Sequence, residues 1–142
     1  FQTYTIDDTL KINDMIHFVS SHCRESESVY TALMKREQMG SVIMEDFHFI
    51  LLHALVPDIK KPMMMCLYPK QHFQHYPNIC FVQVMLMRKD ASEIEQELCS
   101  YINRSIIEDD VFLTYMQKGN REDIVKHLQM IEEQYVKECI EE

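Results

Sequence analysis

The sequence predicts an all-α fold: a single compact bundle of six or seven helices around one central apolar helix. Three observations lead there. Only two glycines occur in 142 residues, and glycine supplies the positive-φ turns that hairpins need. Apolar residues recur at helical spacing toward both ends of the chain. And Ser41–Val56, SVIMEDFHFILLHALV, is apolar almost all round a helical wheel, as a buried helix is.

The first helix is expected from Asp7 or Asp8 to about His22, with Ile12, Met15, Ile16, Val19 and Cys23 as its inner stripe. Arg24–Glu27 reads as a short polar connection. Ser26 or Ser28 caps a second helix that turns Val29, Tyr30 and Leu33 inward and stops at Gly40. The central helix follows, residues 41–56. Ser41 is its cap and Pro57 its end. Ile43, Phe47, Ile50, Leu51 and Ala54 lie on one side, and Met44, Leu52 and Leu55 on the next. His48 and His53 interrupt the apolar surface, and each is read as a structural or partly exposed histidine.

Pro62, Pro69 and Pro77 break the middle into short pieces. Asn78–Lys89 is read as a helix, with a short β-hairpin over 62–87 as the alternative. Residues 69–77 form a loop in either case. Farther on, Asp90-Ala-Ser-Glu93 is a capping signal for a helix with Ile94, Leu98, Tyr101, Ile102 and Ser105 on one face. Glu108-Asp-Asp110 opens the next, which Gly119 ends. The last begins near Asn120 and carries Ile124, Leu128, Ile131, Tyr135 and Cys139 as its stripe.

The length fits one domain, residues 1–142, with enough chain to bury a core. It begins at Phe1, which points to a piece of a larger or processed protein. No apolar run reaches the roughly 18 residues of a membrane span, so no membrane role is expected. Five scattered cysteines form no disulfide framework and suit a reducing compartment, the cytoplasm or nucleus.

The net charge of −9 argues against a whole-surface nucleic-acid binder. The charge is uneven, however. Residues 59–89 hold five Lys or Arg and no carboxylate. Phosphate-loop, HExxH and GxSxG signatures are absent, so no enzyme and no cofactor is expected. Cys66, His72, His75 and Cys80 are chemically fit to hold a structural zinc ion, but at unfamiliar spacing.

The function read from these residues is non-enzymatic: a protein–protein interaction or regulatory domain, monomeric or weakly dimeric. It binds its partner through the acid-free segment. Met63, Met64, Met65, Phe73 and Tyr76 supply apolar anchors there, and Lys60, Lys61 and Lys70 supply orientation. One alternative is a nucleic-acid contact through the ring-bearing loop 68–77. Another is a small helical bundle of the apoptosis or innate-immunity kind.

Overall fold

A computed structural model describes residues 1–141, with side chains through Cys139. It is an α/β structure, which overturns the all-α expectation. A five-stranded mixed sheet accompanies five helices. The chain divides into two compact units, the first ending at Asp90 and the second starting at Ala91.

In the first unit, β1 (Gln2–Ile6) leads to α1 (Ile12–Ser21) and α2 (Ser26–Glu37). Then come β2 (Val42–Met44), β3 (Phe49–Val56), β4 (Met63–Pro69) and β5 (Phe81–Arg88). The strand order is β1-β4-β5-β3-β2. β1 runs parallel to β4, and β3 parallel to β5; β4 opposes β5, and β2 opposes β3.

The proposed central helix is therefore two strands. A 3-10 turn at Glu45–Phe47 and a left-handed His48, φ 62°, divide it. An internal strand with both faces covered is apolar on both, and so is a buried helix; composition does not separate them. On β3, Ile50, Leu52, Ala54 and Val56 turn to the core shared with α1 and α2. Phe49, Leu51, His53 and Leu55 alternate to the other face, as a two-residue period requires. Residues 81–88, read as helix, form β5. The alternative hairpin over 62–87 is present as β4 and β5, and β1 and β3 extend it into a sheet.

Ile12, Met15, Ile16 and Val19 of α1, with Val29 and Leu33 of α2, pack on Val82, Val84, Leu86, Met65 and Leu67 of the sheet. The α1 stripe is as predicted, but the helix starts at Ile12, because Gln2–Ile6 is drawn into the sheet beside β4. On the opposite face, cross-strand partners pair directly. Phe49 stacks on Phe81 at 5.1 Å, and Cys66 Sγ donates to Gln83 Oε1 at 3.0 Å.

The second unit is helical: α3 (Glu93–Glu108), α4 (Asp110–Lys118) and α5 (Arg121–Glu141). The capping chemistry is as the sequence predicts. Ser92 Oγ accepts the Glu95 N–H, Asp109 accepts the N–H groups of Val111 and Phe112, and Gly119 ends α4 at φ 72°. The inner face of α3 is rotated from the expected one. Cys99, Ile102 and Ile106 are buried, whereas Ile94 is exposed. On α5, Ile124, Leu128, Ile131 and Tyr135 are buried and Cys139 is exposed. Thirteen of the 23 carboxylates fall in this unit, against five Lys or Arg. The sheet unit is nearly neutral, with ten carboxylates and nine Lys or Arg.

Candidate functional site

Burial accounts for the lack of carboxylates in the two strands of the acid-free segment, not in its exposed loop. Residues 63–69 and 81–88 are interior strands, where an unpaired carboxylate would cost several kcal/mol. Met63 to Met65 alternate as a strand must. Met65 is buried in the core, Met63 packs against it, and Met64 faces the other side.

Phe73 is fully buried and unavailable to a partner. The Tyr76 hydroxyl accepts the Ile12 N–H at 3.0 Å. The loop carrying both is held down by Asp8. Its carboxylate accepts the backbone N–H groups of Lys70, Gln71 and His72 at 2.7, 3.3 and 3.4 Å. Phe73 is therefore no surface anchor, and Tyr76, part-buried, uses its hydroxyl within the chain. Lys60, Lys61 and Lys70 are exposed. The helical-bundle alternative falls with the all-α fold.

The zinc set is not brought together. Among the described residues no three or more His, Cys, Asp or Glu are arranged around a metal-sized space. Cys66 is wholly buried and burial pushes its thiol far up, away from the thiolate that zinc needs. Cys80 is exposed.

The two histidines of the former central stretch part ways. His48 is structural. Its Nδ1–H donates to the Asn78 carbonyl at 2.9 Å, and its own carbonyl accepts the Cys80 N–H at 2.7 Å. His53 is different. It sits on β3 beyond the end of the short β2, opposite Met85 of β5. Its Nδ1 is sealed from solvent and has no hydrogen-bond partner. Burial, then the charge of Arg36, pushes the imidazole below its ordinary value. The ring is therefore neutral near pH 7.

Leu33, Arg36 and Glu37 from α2, with Gly40, Val42, Leu51, Leu52 and His53, line a crevice where β3 runs on past the end of β2, too narrow to hold a water molecule. Sequence and fold place the cation there together. α2 ends at Glu37, and Arg36 Nη1 donates to the Gly40 carbonyl at 3.2 Å. Gly40 has φ 119°, a conformation that L side chains rarely adopt, and it turns the chain from α2 into β2. The imidazole of His53 and the guanidinium of Arg36 thus lie close enough for the charge of one to act on the other. Sequence reasoning named His53 but treated it as structural. The only signal was an imidazole interrupting an apolar strand.

Neither a protein-family model nor a curated protein sequence matches this chain. Among solved structures it is similar to the nitrogen regulatory protein IIA-Ntr from Neisseria meningitidis. The match has a TM-score of 0.55 at 14% identity and covers 85% of this chain and 92% of that one. At that identity the likeness is one of fold, and the fold is α/β. No helix among the described residues is long and apolar enough to cross a membrane.

Proposed function

We propose that this chain is a non-enzymatic regulatory domain that binds a protein partner, and that its state is set by phosphoryl transfer onto His53. One observation carries the reading: a half-buried imidazole held neutral by burial and by Arg36, with Nδ1 sealed and unpartnered. A neutral imidazole is a nucleophile, and a protonated one has no free lone pair.

With Nδ1 sealed, the attack is assigned to Nε2. Its lone pair attacks phosphorus and a P–N bond forms. The donor's own bond to phosphorus breaks, and that electron pair leaves with the donor. Guanidinium matches phosphoryl oxygens in shape and charge, so Arg36 exchanges its bond to the Gly40 carbonyl for the incoming group. The added negative charge then alters the surface a partner meets. The printed name of the similar structure, a regulatory protein, agrees with this class of role; a shared fold alone does not assign function.

The test uses phosphoramidate, a small phosphoryl donor, followed by intact-mass measurement. Wild-type protein gains one acid-labile phosphoryl group, and the His53→Gln variant gains none. Arg36→Ala is labelled at least tenfold more slowly. Equal labelling of wild type and His53→Gln, or no labelling of either, refutes the proposal.

A further inference from the structure

β1 forms one edge of the sheet, with β4 on one side and no strand on the other. A free edge is a row of unpaired N–H and C=O groups, and proteins blunt it with Lys, Pro, a bulge or a very short strand. The opposite edge, β2, is three residues long and runs into Glu45 and Asp46. β1 has five residues, QTYTI, with no charge and no proline. It pairs with β4 in continuous register, without a bulge.

The sheet decides which of its groups point outward. Along a strand, side-chain face and hydrogen-bonding side alternate together. On β3 the core-facing Val56 accepts the Lys89 N–H at 3.0 Å, on its β5 side. β1 runs opposite to β3 and lies near the other end of the strand order, so its core-facing residues also bond inward, to β4. Those residues are Tyr4 and Ile6. Thr3 and Thr5 therefore turn their N–H and C=O groups to the open edge. No hydrogen bond from another segment reaches these groups among the described residues.

We infer that β1 is the seam of a symmetric dimer, formed by antiparallel addition of β1 from a second copy of this chain. The outward residues flank Tyr4 symmetrically. A two-fold axis at Tyr4 thus sets Thr3 of each copy opposite Thr5 of the other, and each pair exchanges two backbone hydrogen bonds. Every outward group of Thr3 and Thr5 is then satisfied. Threonines pair favourably across strands, and no charge between Gln2 and Ile6 repels the copy. The helices leave room. α1 packs over β4 and β5, so at ~4.8 Å between strands the two copies of α1 stand about 14 Å or more apart, beyond the separation of helices in contact. The rings of Tyr4, Phe18 and His22, with centroids 4.2 to 5.5 Å apart, lie on that face beside the axis. The seam does not depend on the phosphoryl reading of His53, which lies on β3, three strands away in the sheet.

The test is sedimentation velocity of the folded full chain over about a hundredfold range of concentration. We expect a monomer–dimer equilibrium in the wild type. Thr5→Pro removes an outward N–H that β4 does not use, so it keeps the wild-type circular dichroism and weakens the dimer about tenfold or more. Thr3→Lys with Thr5→Lys sets like charges opposite each other in both pairs and weakens it to a similar extent. Thr3→Lys with Thr5→Glu changes the same two positions but sets opposite charges there, and its dimer equals or exceeds that of the wild type. A wild type that stays monomeric throughout leaves the edge to an extended segment of another protein and overturns the inference. An unchanged dimer in Thr5→Pro, or equal behaviour of the two double variants, overturns it as well.

Discussion

Replacing Asp109 with Ala should destabilise the helical unit by about 2 kcal/mol. This residue serves three helices at once, the last two through its carboxylate. Its backbone N–H closes α3 on the Ser105 carbonyl at 2.9 Å. Its Oδ1 accepts the N–H groups of Val111 and Phe112 at 3.0 and 3.2 Å, capping α4. Its Oδ2 accepts from Nε2 of His127 on α5 at 2.7 Å. Loss of an N-cap of this kind costs about 1 kcal/mol. The bond to His127 adds up to about 1 kcal/mol, reduced from the value of a buried pair because the Asp109 side chain is 39% exposed.

Asp109→Asn keeps the cap and loses the charge, so it should cost less than half as much. Burial alone would raise the Asp109 carboxyl. The hydrogen bond from His127, the charge of His127 and the two capping N–H groups outweigh burial and hold it below the usual carboxylate range. A lowered carboxyl contributes stability above its unfolded pKa, about 3.8, and loses it as pH falls through the folded one. Urea melts at pH 7 and pH 3, read with amide exchange in α4, test both parts. The wild type should lose more than Asp109→Asn between those pH values. A cost below about 0.5 kcal/mol for Asp109→Ala, or equal costs for Ala and Asn, would refute this account.

Two further outcomes are expected. Leu52→Ala should cost about 2–5 kcal/mol in a denaturant melt, because Leu52 is 2% exposed in the core between sheet and helices, whereas half-buried Leu51 should cost less. His53 has a lowered pKa, so its burial is fully tolerated above about pH 6.5 and opposes folding as pH falls through and below that point. The melting temperature of wild type should therefore drop between pH 7.5 and 5.5, and His53→Gln should flatten the drop; parallel profiles would count against a neutral, buried imidazole.

Much of the local structure was legible in the residues. Ser92, Asp109 and Gly119 act on backbone groups one to four positions away, so their roles are written in the sequence beside them. The α1 and α5 stripes follow from spacing alone, as far as Tyr135 on α5. The α3 face was misjudged because Ile94 sits in its first turn, where apolar side chains need not point inward.

The strands were a different matter. A strand's hydrogen bonds go to residues far away in sequence: Gln2 lies opposite Met65, and Phe49 opposite Phe81. Nothing near Gln2–Ile6 announces such a partner. Residues 41–56 carry enough apolar surface for a buried helix or a strand covered on both faces, and only the presence of neighbouring strands decides between them. The candidate site shows the same limit. The sequence states that His53 and Arg36 exist, 17 positions apart. Packing of α2 against β3 brings both residues to the lining of one crevice, and burial, then the charge of Arg36, lowers the imidazole pKa. So the sequence by itself determined the helix ends at Ser92, Asp109 and Gly119, since capping is local, but not whether the runs at 41–56 and 78–89 are helical. The tertiary structure alone decided which apolar runs became sheet and which histidine was buried with a lowered pKa, because desolvation and strand pairing depend on distant parts of the chain.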